Sequence, residues 1–147
     1  MKKAMNHSEA KEFLGTIEHY GLDFSKRDKF EIYGDIILIN GEPMFFYHEK
    51  RLVPTLKLLL KKMVLRKITV DMGAVRFVAS GADVMRPGIT QIEEGIEKDD
   101  LVCVVDVTHG KPLSVGKAIF SGEEIKSMNS GKVVKNLHWI GDDIWKV

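Results

Sequence analysis

Arg76, Ser80, Gly81, Ala82, Asp83, Met85, Arg86 and Gly88 crowd into one stretch of the chain, VDMGAVRFVASGADVMRPGI at residues 70–89. Guanidinium groups suit this setting for one kind of chemistry: they offer a planar fork to phosphate or stack on a base. The small residues at 80–82 leave the main chain uncovered, so a sugar–phosphate chain can approach its amides. Helical spacing sets Arg76 and Ser80 on one face, and Gly81 ends that helix as a left-handed cap. In the extended piece that follows, Val84 and Arg86 point one way and Met85 the other. The stretch reads as a surface that grips a polymer rather than a centre for acid–base chemistry. A plainer reading stays open, with Gly81 only a helix stop and Arg86 only a surface charge.

A second group of candidate residues is electrostatic. Net charge is +1, so overall basicity says nothing about partners, but the distribution is uneven. Residues 1–66 carry 12 basic and 9 acidic side chains, whereas residues 67–147 carry 10 and 12. From Lys50 to Val70 there are seven basic residues and no acid: Lys50, Arg51, Lys57, Lys61, Lys62, Arg66 and Lys67. A phosphate-binding footprint has this local form. So does a solvated helix face.

Catalytic constellations are missing from the sequence. The five histidines are scattered and lack metal-ligand spacing with the single Cys103, which sits inside the apolar run LVCVVDV as a buried side chain. No Walker loop, dinucleotide fingerprint or nucleophile elbow occurs. Asp71 stands where a helix cap is needed, and the pairs Asp99-Asp100 and Asp142-Asp143 fall at turns. The expectation is a non-enzyme without cofactor or metal. No apolar run reaches the roughly 20 residues of a membrane helix, and no signal peptide is evident. A lone cysteine fits a reducing compartment, so the expected location is cytoplasmic.

The elements that must position these residues follow from pattern. Asn6 and Glu9 have capping-box spacing ahead of a helix carrying Ala10, Phe13, Leu14, Ile17 and Tyr20, which Gly21 stops. Asn40-Gly41 between apolar runs signals a hairpin, and Pro43 suggests an edge position for its second strand. Pro54 is expected to open a second helix that buries Leu56, Leu59, Leu60 and Met63 and shows Lys57 and Lys61 on one face. Beyond a soft boundary at Arg66 come a strand from Ile68 to Val70, a helix from Gly73 to Ser80 and many short strands. A capping box at Ser121 and Glu124 starts one further helix. The final extended pieces, VVKNLHWI and DIWKV, flank a turn at 141–143 and carry Trp139 and Trp145, which fill a core, seal an interface or stack on bases. Short strands at such intervals imply a small β-barrel. The predicted class is α+β: a small α/β-hairpin domain at 1–66 packed on a β-barrel domain at 67–147.

The stretch at 70–89, followed by KPLSVGKAIFSGEEI and NLHWIGDDIWKV, resembles the PUA domain of the malignant-T-cell-amplified family of translation factors and its archaeal relatives. The N-terminal half is similar to the domain that precedes PUA in that family. This resemblance implies a PUA pseudo-barrel whose short helix, following loop and neighbouring strand form an RNA groove, with residues 80–83 as the loop and Arg86 as its basic rim. It further implies a non-catalytic RNA-binding protein that meets tRNA or rRNA on the small ribosomal subunit in initiation, re-initiation or recycling. Any partner with an initiation-factor-like domain would be a separate chain. The alternative is an accessory RNA-binding subunit for tRNA or rRNA modification.

Overall fold

A computed structural model describes the whole chain, Met1–Val147. The N-terminal half is a five-stranded antiparallel sheet with strands in sequence order: β1 (Lys3–Ala4), β2 (Phe30–Tyr33), β3 (Ile36–Ile39), β4 (Glu42–His48) and β5 (Arg51–Pro54). Helix α1 (His7–Ile17) starts in the expected capping box, Asn6 Oδ1 accepting from Glu9 N and Glu9 Oε1 accepting from Asn6 N. A 3-10 turn, Glu18–Tyr20, then ends at Gly21 in the left-handed region. Its apolar face sets Phe13 edge-on to Phe45, with ring centroids 5.7 Å apart, over Phe30, Ile37 and Ile39. The hairpin at Asn40-Gly41 has positive φ at both residues, and Asn40 fixes it by bonding Lys29 N and Asp28.

Three expectations for this half fail. Strand β4 is not at an edge, since β3 and β5 flank it. Pro43 is tolerated because it lies near the start of the strand beside a register shift, where the ladder is already interrupted. Pro54 does not open the second helix either; it ends β5, and Thr55 is the cap, its Oγ1 accepting from Leu58 N and donating to Pro43 O. Helix α2 (Leu56–Lys61) is a single short run that stops before Arg66. Leu58 is buried and Leu60 is exposed, reversing the expected face at those positions. The cause is burial on two sides: Leu58 enters the N-terminal core while Leu56 and Leu59 turn toward the second half.

The second half is one curled six-stranded sheet built from β6 (Arg66–Val70), β7 (Val84–Met85), β8 (Ile89–Ile92), β9 (Leu101–Asp106), β10 (Pro112–Ala118) and β11 (Lys132–Trp139), in the order β7-β11-β10-β9-β6-β8. Its one parallel pair is β6–β9. The edge strands β7 and β8 are joined by a 3-10 turn, Arg86–Gly88, and Asp71 N donates to Gly88 O there, so the sheet closes into a pseudo-barrel. Helices α3 (Met72–Val78) and α4 (Gly122–Ser127) cover it, α4 through the predicted capping box of Ser121 and Glu124. Ile68, Val70, Val78, Val84, Val102, Val104, Ile125 and Val134 fill the barrel. The piece DIWKV is not a strand. Asp142 accepts from Trp139 N, Trp145 N and His138 Nδ1, and these bonds wind the end of the chain into a turn.

The halves meet across a buried apolar seam of Phe46, Val53, Leu56 and Leu59 against Leu101, Cys103, Val105 and Val115, with Trp145 packed on it. His138 is the polar bolt of this seam. Its Nε2 accepts from Leu56 N at 3.1 Å, so the ring proton sits on Nδ1 and donates to Asp142 at 2.8 Å. Burial pushes the Asp142 carboxyl up, but the bonds from His138, Trp145 N and Trp139 N outweigh it and hold the group below its ordinary value. Cys103 is wholly buried, and desolvation pushes its thiol up to about 12, out of range for a nucleophile.

Candidate nucleic-acid interface

Helix α3 is set by Asp71, whose Oδ1 accepts from Ala74 N at 2.9 Å. With Val78 locked into the barrel core, Arg76 and Phe77 are left outward, the Arg76 guanidinium 5.0 Å from the Phe77 ring centre. After the helix the chain turns back at Gly81, where φ is +100° and a Cβ would meet Trp139 Cζ2 at 2.8 Å. Only glycine meets both conditions. Gly88 is matched to the helix in a similar way, since a Cβ there would lie 3.0 Å from that of Ala74. Between α3 and β7 these restraints leave a groove of about 280 Å³, lined by Ala74, Phe77, Ala82, Asp83, Met85 and Gly88 among others. Phe77 is 55% exposed and Met85 51%, values that are high for large apolar side chains, and Met72 at the start of α3 is 51% exposed. Contiguous apolar exposure of this kind marks a binding surface.

Strand β11 holds the groove open. Asn136 Nδ2 donates to both Val78 O and Ala82 O at 3.0 Å, and its main-chain N donates to Asp83 Oδ1 at 2.8 Å. Sequence reading missed Asn136 because it lies far along the chain from the loop it clamps. It missed Phe77 by taking the helix for its arginine alone, although Arg76-Phe77 side by side was the available signal.

Several expected site residues have other duties. The amides at 80–82 do not face a ligand: Ser80 N and Ala82 N donate to Phe77 O, and Gly81 N to Val78 O. A tight turn uses those groups internally, so the loop is no phosphate cradle. Ser80 Oγ likewise donates to Arg76 O. Arg86 is a half-buried brace whose Nε donates to Ile125 O at 2.7 Å and whose Nη1 reaches Ile89 O at 3.4 Å. It is not a free basic rim. Asp83 is paired with Lys132 at 3.2 Å.

The basic run also disperses. Lys61 is paired with Glu42 at 2.8 Å, Lys62 donates to Gly21 O, and Arg66 donates to Glu94 O. Lys57 lies 5.1 Å from the centre of the Trp145 ring. Arg66 and Lys67 belong to β6 in the other sheet, because α2 ends too soon to carry them on its face. No group of three or more His, Cys, Asp or Glu side chains is placed to hold a metal ion, and no helix is long and apolar enough to cross a membrane.

The family model described as PUA domain matches residues 66–140, which is half the chain and contains every strand of the curled sheet. The chain belongs to the PUA-domain family. Residues 2–62 match a second model, described as a domain of unknown function, DUF1947. Among relatives, Translation machinery-associated protein 20 of Saccharomyces cerevisiae is 34% identical over 125 residues, covering 80% of this chain and 67% of that one. Malignant T-cell-amplified sequence 2 of Homo sapiens is 37% identical over 116 residues, covering 76% of this chain and 64% of its own. The resemblance drawn from residues 70–89 is therefore correct. Among solved structures, a conserved PUA domain protein from Thermoplasma acidophilum superposes with a TM-score of 0.82 at 27% identity, covering 99% of this chain and 98% of that chain. The likeness thus spans both halves, the small N-terminal unit as well as the pseudo-barrel.

Proposed function

We propose that this protein binds RNA without catalysing a reaction on it, as part of the translation apparatus, and that it meets tRNA or rRNA on the small ribosomal subunit. The observation that carries this reading is the groove between α3 and β7 of a PUA domain, lined by half-exposed Phe77 and Met85, with the Arg76 guanidinium against the Phe77 ring. Apolar faces next to a guanidinium fit the flat faces of unpaired bases, which a duplex hides. The relatives named for the translation machinery support the setting. In this division of labour residues 67–147 carry the groove that reads the RNA and residues 1–66 brace the barrel, with an initiation-factor-like protein as a further partner.

The test is co-sedimentation of the purified protein with small ribosomal subunits, with and without tRNA, across a salt series. Association that weakens steeply as salt rises is expected, since phosphate contacts release counterions. Failure to sediment at low salt would overturn the ribosomal assignment and favour an accessory role in RNA modification.

A further inference from the structure

A second cleft, of about 230 Å³, opens at the seam between the two halves. Arg51 and His48 reach it from the N-terminal sheet, Lys117 and Lys135 from the other, and Asp99 from the turn before β9. Lys117 and Lys135 are directly opposed in the β10–β11 ladder. Opposed residues of an antiparallel pair point to the same face with Cβ atoms about 5 Å apart, and like charges there are destabilising. Compensation within the protein is thin. Lys117 has only Asp99, at 4.0 Å, while Lys135 is in no ion pair. Asp99 also serves Arg51 through its carbonyl, which accepts from Arg51 Nη1. Glu49, at the rim, makes no ion pair with either lysine. The floor includes Leu101 and Leu137, which displace water and strengthen the field of the surrounding cations.

Arg51 is carried to the cleft by a tight hairpin: His48 pairs with Arg51, and Glu49 and Lys50 between them take the positive φ that such a two-residue turn requires.

We propose that this cleft is a phosphate-binding site, formed by Arg51, Lys117 and Lys135 from both halves, which takes a backbone phosphate of the RNA that occupies the groove. The inference rests on the RNA-binding reading above. Strand β11 links the two places: Lys135 faces the cleft, the adjacent Asn136 clamps the groove loop, and β11 pairs directly with β7. Phosphate between the two lysines relieves their repulsion, and the Arg51 fork supplies a directional contact. The anion can be bound only while the halves are docked, so RNA binding also stabilises the seam.

The experiment compares the full-length protein with the Lys117→Gln/Lys135→Gln double variant. Each is titrated with a labelled RNA single strand of about 12 nucleotides between ~50 and ~300 mM salt. Loss of one phosphate contact is expected to reduce the slope of log K against log salt by about 0.7, which is about fivefold in affinity at ~0.1 M. The double variant should unfold at an equal or higher temperature, because a repulsive pair has been removed; a lower temperature would contradict the like-charge argument. Unchanged slope and affinity, with RNA still bound, would overturn the cleft site and leave the groove reading intact. If the wild-type protein binds no RNA at all, the groove reading fails, and inorganic phosphate then decides the cleft. Saturable amide NMR shifts at Arg51, Lys117 and Lys135 that vanish in the double variant would keep it as a site for a free anion, and their absence would overturn it.

Discussion

The molecule carries two apolar surfaces of similar chemistry and opposite fate. At the seam, Phe46, Leu56 and Leu59 face Leu101, Cys103 and Val115, and every one of these is buried. Across the barrel, Phe77 and Met85 face each other over a groove and stay half exposed. Burying side chains of this size contributes about 1.5–3 kcal/mol each, so leaving two of them in water costs the fold stability it could otherwise gain. The groove does not collapse because Asn136 holds it open through hydrogen bonds to Val78 O and Ala82 O, while the Trp139 ring packs against Gly81. The seam is sealed by polar groups too, through the His138 relay from Leu56 N to Asp142. In one place hydrogen bonds close an interface, and in the other they prevent closure. The second arrangement is a binding surface.

Breaking the seam should have the largest effect on stability. His138→Ala leaves Leu56 N without an acceptor and a void beside Phe46, and is expected to cost about 3 kcal/mol in denaturant unfolding. RNA affinity of the fraction whose halves remain docked should be unchanged; a loss there would mean that the groove itself depends on His138. Next in size, Arg86→Glu removes the brace to Ile125 O and places a carboxylate among carbonyls, which should cost about 2 kcal/mol. Arg76→Glu, at an exposed position, should lower RNA affinity with no comparable loss of melting temperature. Equal stability of the two variants would restore Arg86 to the rim of the groove.

That contrast shows what was legible in the sequence. Local devices were readable because cause and effect lie within a few residues: the Asn6–Glu9 and Ser121–Glu124 boxes, the Asp71 cap, the Asn40-Gly41 hairpin and the Gly81 stop. The family and its pseudo-barrel were readable for the same reason, since residues 70–89 carry three glycine positions with separate geometric demands. What failed depends on partners distant along the chain. Arg86 looks like a free cation until Ile125 O is placed beside it, 39 residues on. Residues 80–82 look like open backbone until their amides are found bonded to Phe77 O and Val78 O. The lysine run would form one face only if α2 continued to Arg66, and the helix ends at Lys61. Asn136 and the Lys117–Lys135 pair carry no local signal, because sheet pairing alone brings them to their sites.

A smaller effect should follow pH. Asp142 has a lowered pKa in the fold, so its contribution is present above the ordinary carboxylate value and is lost as pH falls through the folded one. Wild-type melting temperature should therefore drop more steeply below about pH 4 than that of Asp142→Asn, measured by thermal unfolding across an acid series. Parallel curves would remove Asp142 from the seam. Least of all, Lys61→Ala should change stability by about 0.5 kcal/mol or less and leave RNA affinity alone, because its ion pair with Glu42 is exposed. A clear loss of RNA binding would bring α2 back into the interface.

The most direct test of the groove is binding of single-stranded and duplex RNA to the wild type and to Phe77→Ala, read by fluorescence anisotropy beside thermal unfolding. The expected result is preference for the single strand, with affinity for it falling about 10-fold or more in the variant and the melting temperature unchanged, since base stacking is worth about 1–3 kcal/mol and Phe77 is outside the core. Equal affinity of wild type and variant for the single strand, with both folded, would contradict the account: the exposed ring between α3 and β7 would then have no part in holding RNA.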